Sequence, residues 1–207
     1  MAAYIPELTN TLNHEKLMAA IHTGNFPEAL KILGDNEFTL EDIIKLQGYD
    51  ADKAAELRHK IQACVEEGEG LDCSDRELTQ QHLNEILFYL TAKKITEVKG
   101  SLYFRTLETL PVGALAALKS LGGGLYIPFL TTLLEGALAA LKSVGGSLYL
   151  YNLRTMAEGA LAALQSVGGY LSFSLLSALS KGALAALHSV EGALYLPVLT
   201  TLSEGAL

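Results

Sequence analysis

The chain has 207 residues, half of them apolar, and a formal net charge of -8; that supply of apolar side chains is enough for a sizeable core and argues against disorder. The charge is uneven: residues 101–207 hold five Lys/Arg and five Asp/Glu, so the first hundred residues carry all of the excess acid. A phosphate backbone is repelled by the first half and finds no basic stripe on the second, so no nucleic acid is expected as a partner.

Met1–Leu12 has neither a basic n-region nor an apolar h-region, and the expected location is cytoplasmic, with leaderless secretion left open. The longest apolar stretches, such as Gly113–Leu118, fall far short of the roughly 20 residues of a membrane-spanning helix. No membrane span is expected. Cys64 and Cys73 are the only cysteines, too few for a disulfide framework; free thiols are favoured, although the two sit close enough in sequence to pair.

Residues 13–94 read as short helices separated by turn signals. The first expected helix is Asn13–Thr23, with Leu17, Met18 and Ile21 at helical spacing. A second starts near Phe26, carries Pro27 early and stops at Gly34-Asp35. Thr39, three residues before Asp42, caps a third over Leu40–Leu46. Ala51–Glu67 is the fourth, an acidic loop spans Glu66–Asp75, and Arg76–Lys94 is the longest helix, with Leu78, Leu83, Ile86, Leu87 and Leu90 on its apolar face. A small all-helical domain over residues 1–94 is the expectation.

From about Ile95 the grammar changes. Gly113, Gly136, Gly159, Gly182 and Gly205 are each 23 residues apart, and an internal repeat overrides every other reading of a fold. Gly136–Glu158 shows the unit, GALAALKSVGGSLYLYNLRTMAE. GALAALKSV reads as a short helix or helical turn ending in glycine. SLYLY alternates, so Leu148 and Leu150 point inward while Ser147, Tyr149 and Tyr151 point outward, as in a strand buried on one face. One unit alone cannot bury such a face; stacked units can, with strands pairing in parallel. Residues 95–207 are expected to form about four to five such units.

The phrase L-x-L-x-x-L-x-x-L at Leu125–Leu133, running into Glu135–Leu141, resembles the bacterial leucine-rich repeats called BspA-like. Pro128 and Pro197 match the proline those repeats place after the strand, whereas Ala-Leu-Ala-Ala-Leu replaces their A-F-x-x-C stretch. Leu141–Leu150 is also similar to the L domains of receptor ectodomains, and only Asn152 stands near the asparagine ladder of eukaryotic leucine-rich repeats. Both resemblances imply an α/β fold class: a right-handed leucine-rich-repeat-like solenoid with a parallel sheet, whose exposed face binds proteins or glycans.

The 23-residue period aligns Tyr103, Tyr126, Tyr149 and Tyr195 on the outward face, with Ser172 on the remaining rung and Tyr151 and Tyr170 beside it. Rings on strands about 4.8 Å apart can stack, and together they offer a flat amphipathic surface. Packing between strands is the competing role. Arg105 is the one ionic residue read onto this face, which suits a peptide or sugar better than a phosphate.

The five histidines lack metal-ligand spacing, and the Glu66–Asp75 loop breaks the alternation of a calcium-binding loop. Neither a metal nor another cofactor is expected. Cys73 with His82, or Cys64 with His59, would lack an oxyanion hole and a third group, so no enzyme is expected. The Gly-Gly pairs lack the Lys-Ser/Thr of a phosphate loop.

The leading expectation is a non-catalytic protein-protein interaction scaffold whose helical domain, through its last helix, caps the solenoid. One alternative is a secreted or host-delivered effector with an activity or targeting role in residues 1–94, and another is a self-assembling structural repeat. Leu194, Leu196, Leu199 and Leu202 form an apolar C-terminal edge through which homo-association is expected, unless the chain is a fragment of a longer array.

Overall fold

A computed structural model describes residues 6–34, 39–67 and 69–207, with side chains of the first segment described from residue 13. The reading of Met1–Leu12 as lacking a leader, Asp35 in the second helix stop and Gly68 in the acidic loop lie wholly or partly outside the described residues. A helical N-terminal region is followed by a parallel β-solenoid of about five coils, each coil being one 23-residue unit.

Among the described residues, four helices precede the first strand: α1 (Pro6–His22), α2 (Phe26–Leu33), α3 (Leu40–Ile43) and α4 (Ala51–Glu66). Each of the last three starts on a side-chain cap. Asn25 accepts from the Glu28 amide, Thr39 and Asp42 form a reciprocal box, and Asp50 accepts from the Lys53 amide. The third helix is shorter than the expected Leu40–Leu46 because other elements claim its last backbone groups. Arg58 donates to the Ile44 and Lys45 carbonyls, and the Leu46 amide donates to the Glu85 carboxylate at 2.8 Å.

That carboxylate is the hub of the helical region. Glu85 is 1% exposed, and it also meets Nε2 of His22 at 2.6 Å, so it ties α1 and the α3–α4 loop to α5 (Gln80–Ala92). A buried carboxylate without such partners would be costly.

The expected Arg76–Lys94 helix is trimmed to α5 because Thr79 and His82 close a capping box there. Nδ1 of His82 accepts from the Thr79 amide and Nε2 donates to the Gln47 carbonyl, which assigns the neutral tautomer. From His82 to Thr91 the helix is buried on every face. One side meets the other helices; the other meets the first coil.

There, backbone groups with no preceding coil are met by side chains of α5. Gln80 accepts from the Glu108 and Thr109 amides and donates to the Thr109 carbonyl, and Thr91 accepts from the Leu115 amide. In the following coil the amide of Leu138, equivalent to Leu115, donates to the backbone of Ala114 instead.

Each complete coil carries strands of only two residues. The first sheet stacks β1 (Leu71–Asp72), β3 (Leu102–Tyr103), β5 (Leu125–Tyr126), β8 (Leu148–Tyr149), β11 (Leu171–Ser172) and β14 (Leu194–Tyr195). The second stacks β2 (Glu97–Val98), β4 (Ser120–Leu121), β7 (Ser143–Val144), β10 (Ser166–Val167) and β13 (Ser189–Val190). A third side pairs β6 (Thr132–Leu133) with β9 (Thr155–Met156), and β12 (Ala178–Leu179) with β15 (Thr201–Leu202). All pairings are parallel and in register; Val98 meets Leu121, one repeat apart as the sequence implies.

Three features depart from the sequence reading. The five-residue strand SLYLY contracts to Leu148–Tyr149, because the chain turns immediately after Leu150. The acidic loop contains a strand, β1, which pairs with β3 and supplies the first rung. GALAALKSV, expected as a short helix or helical turn, forms no helix: Glu135–Ala140 is a run of turns, and Ser143–Val144 belongs to the second sheet.

The glycine period has its cause in that corner. Gly136 has φ 77° and Leu138 φ 57°, and two left-handed residues so close together break an α-helix before it can nucleate. At the next corner, a Cβ on Gly145 would lie 2.2 Å from the Gly122 carbonyl oxygen, so coil meets coil there through bare backbone.

Inside, Leu148, Leu150, Leu153, Leu171, Phe173 and Leu176 are fully buried, and a single apolar core runs from Leu17 in α1 through the coils to Ala206. Leu148→Ala or Leu171→Ala should destabilise the protein by about 2–5 kcal/mol, and Tyr149→Ser far less, in chemical denaturation. The opposite order would reverse the two faces of the strand. Gly168→Ala, whose Cβ would lie 2.1 Å from the Gly145 carbonyl oxygen, should cost about 1–3 kcal/mol through overpacking, whereas Ser147→Ala should shift the thermal midpoint only slightly.

Candidate binding surface

The first sheet brings the predicted tyrosines onto one face. Tyr103 pairs in register with Tyr126, Tyr126 with Tyr149, Tyr149 with Ser172, and Ser172 with Tyr195. The alternation that buries Leu102, Leu125, Leu148 and Leu171 turns every one of these residues outward.

The rings interact along the row. Tyr103 and Tyr126 stack almost parallel, 7° apart with centroids at 4.4 Å; Tyr126 and Tyr149 are tilted at 5.2 Å. Tyr151 stacks on Tyr149 at 5.1 Å, and Tyr170 lies 6.5 Å from it. Tyr103, Tyr126 and Tyr149 are half-buried, whereas Tyr151, Tyr170 and Tyr195 are exposed. Exposure and stacking therefore coexist: Tyr151 and Tyr170 pack on Tyr149 and still present ring surface to solvent.

Burial, followed by the neighbouring phenols, pushes the Tyr126 and Tyr151 hydroxyls above the usual tyrosine range. Both remain neutral hydrogen-bonding groups at physiological pH.

Sequence reasoning missed one member. Asp72, in β1, pairs with Tyr103 and begins the row with an exposed carboxylate. Only the alternation of buried Leu71, exposed Asp72 and buried Cys73 hinted at a strand there, too short a pattern to separate from a loop. Arg105, two residues beyond Tyr103, is exposed in the turn that follows β3.

The remaining candidates are engaged elsewhere. Asp72 accepts from the Ser74 amide, and Asp75 accepts from the Tyr49 hydroxyl, Lys53 and the Glu77 amide, so the acidic loop spends carboxylates on its own turn and on α4. The Glu77 amide, the Tyr49 hydroxyl and Lys53 hold the Asp75 carboxyl below its usual range. No group of three or more His, Cys, Asp or Glu that could hold a metal ion occurs among the described residues.

Cys64 and Cys73 are buried free thiols. Burial pushes the Cys64 thiol up to about 11, and burial with the nearby Asp72 carboxylate raises that of Cys73 further. His82, the imagined partner of Cys73, spends both ring nitrogens on backbone groups. Neither thiol is a ready nucleophile near neutral pH.

A depression of about 640 Å³ lies between α3, α4 and α5 and includes Arg58, His59, Tyr89 and Lys93. Its guanidinium is committed to the Ile44 and Lys45 carbonyls, and its ammonium lies over the Tyr89 ring at 5.5 Å from the centroid. No helix among the described residues is long and apolar enough to cross a membrane.

Both thiols should resist alkylation by iodoacetamide at pH 7.5 in the native protein and react once it is unfolded in guanidinium, read by intact mass. Rapid labelling of the folded chain would contradict their burial. Comparison with known protein families, curated proteins and solved structures finds no match to this chain.

Proposed function

We propose that this protein is a non-catalytic scaffold that binds another protein through the tyrosine-lined face of the first sheet. The observation that carries the reading is the row itself: in-register tyrosines, half-buried on β3, β5 and β8 and exposed on β14, with the exposed carboxylate of Asp72 on the rung before Tyr103. Tyrosine offers a large contact area at low entropic cost together with a polar tip, the combination enriched in binding hot spots.

A protein suits this face better than a glycan. Tyr103 and Tyr126 turn their ring faces to each other, so along the stacked part the row presents ring edges and hydroxyls, which match the carbonyls and amides of a polypeptide. Sugar stacking would need open ring faces.

Residues 1–94 are, on this reading, a helical domain whose last helix caps residues 95–207. The hydrogen bonds from Gln80 and Thr91 to the first coil support that role. The kinship to bacterial leucine-rich repeats, BspA-like or L-domain-like, is part of the same proposal, supported by the 23-residue parallel register. Exposure of Leu194, Tyr195, Val198 and Leu202 supports homo-association at the last coil as an additional contact.

The test is partner capture by the immobilised full chain, identified by mass spectrometry. Tyr126→Ser, Tyr149→Ser and Tyr195→Ser combined should weaken retention of the captured partner at least tenfold while moving the thermal midpoint by a few degrees. Undiminished retention with the fold intact would leave the row as a packing device.

A further inference from the structure

The first hundred residues carry the chain's excess acid, yet basic side chains gather at one depression there. Arg58 and His59 of α4, with Lys93 just after α5, line the volume of about 640 Å³ that Tyr89 also lines. On the same α4 helix, Lys53 is taken by Asp75 and Glu77, and Lys60 by Glu56. No ion pair among the described residues involves Arg58, His59 or Lys93.

The contacts these groups do make leave their charge in place. Arg58 donates from Nε to the Ile44 carbonyl and from Nη2 to the Lys45 carbonyl. Both acceptors are neutral, and Nη1 keeps its N–H donors. Lys93 lies over the Tyr89 ring, 5.5 Å from its centroid, a contact that positions the ammonium without neutralising it. Glu41 is the carboxylate lining the depression, while Glu66 accepts from the Gln62 amide at its edge.

Tyr89 adds an uncommitted donor from below. It is 4% exposed, and no hydrogen bond among the described residues uses its hydroxyl. No buried side-chain polar atom there lacks a partner, so this oxygen is not sealed off; it meets solvent where Tyr89 lines the depression. Burial, followed by the fields of Glu66 and Glu41, raises the phenol above the usual tyrosine range, which keeps the proton on the oxygen. A tyrosine hidden to this extent ordinarily spends its hydroxyl on a protein partner.

We propose that the depression between α3, α4 and α5 binds a small organic phosphate monoester. Its terminal oxygens accept from Arg58 Nη1, Lys93 Nζ and the Tyr89 hydroxyl, with His59 at the rim. A guanidinium matches phosphate geometry, an ammonium serves as a point charge, and the ligand's near-double negative charge answers both. A volume of about 640 Å³ exceeds what phosphate alone fills and falls among small-molecule sites of about 300–1,000 Å³. The organic group therefore lies against Leu40 and Ala55, which line the same depression. This site is separate from the tyrosine face and does not rest on the protein-binding reading.

The full chain, carrying 13C-labelled tyrosine, is titrated at constant ionic strength with phenyl phosphate, inorganic phosphate, benzoate and phenol, and affinities are read by calorimetry. Phenyl phosphate should bind saturably, shift the Tyr89 signal, and bind more tightly than the other three. Tyr89→Phe keeps the ring and removes the hydroxyl; it should weaken phenyl phosphate roughly fivefold. Lys93→Gln, on the surface, should weaken it roughly three- to fivefold, which preserves the test should the Tyr89 variant misfold. Lys31→Gln, outside the depression, should leave the affinity unchanged. Benzoate binding as tightly as phenyl phosphate overturns the phosphate assignment. Non-saturating shifts, or equal losses in Lys93→Gln and Lys31→Gln, mean unspecific attraction to surface charge and overturn the site itself.

Discussion

The solenoid depends on backbone meeting backbone at the same corner of successive coils. Strands of two residues carry few hydrogen bonds each, so they hold only if the next coil arrives in register and close enough to pair. At Gly122, Gly145 and Gly168 that approach leaves no space for a Cβ, which would come within about 2.2 Å of a carbonyl oxygen one coil away. The glycine corners and the inward leucines therefore act together. The corners set the distance, and the leucines remove from water an apolar surface that no single coil could bury.

A stack built this way leaves its first coil short of partners, and the helical region supplies them with unlike chemistry. β1 extends the first sheet by a rung, while Gln80 and Thr91 of α5 reach backbone groups of the first coil. The same helix carries Glu85, whose buried carboxylate joins His22 and the Leu46 amide. One helix thus holds the helical region together on one side and meets the solenoid on the other, and the core continues across it without interruption.

Regular stacking also explains the candidate surface. A residue type repeated every 23 positions must form a row, because each strand pairs with its equivalent in the next unit. Rows of identical rings pack on one another, and this packing competes with presentation to a partner. Tyr103 and Tyr126 are stacked and half-buried, whereas Tyr151 and Tyr170 are exposed although they stack on Tyr149, and Tyr195 is exposed on the last strand.

Much of this was legible from the residues alone. The glycine period established the repeat, the alternation Leu148-Tyr149-Leu150 assigned inside and outside, and the same period placed Tyr103, Tyr126, Tyr149 and Tyr195 in one row with Ser172 between the last two. These are local or periodic properties, written into side-chain order. The tertiary structure decided what local order leaves ambiguous. GALAAL has the composition of a helix, yet Gly136 and Leu138 take left-handed angles because the corner must deliver the next strand onto its neighbour. Leu71–Asp72 pairs only because β3 offers it an edge. Ser172, an outward residue by its alternation, is only 3% exposed on the rung between Tyr149 and Tyr195. In each case the deciding atoms lie on another segment of the chain, beyond the reach of any pattern confined to one.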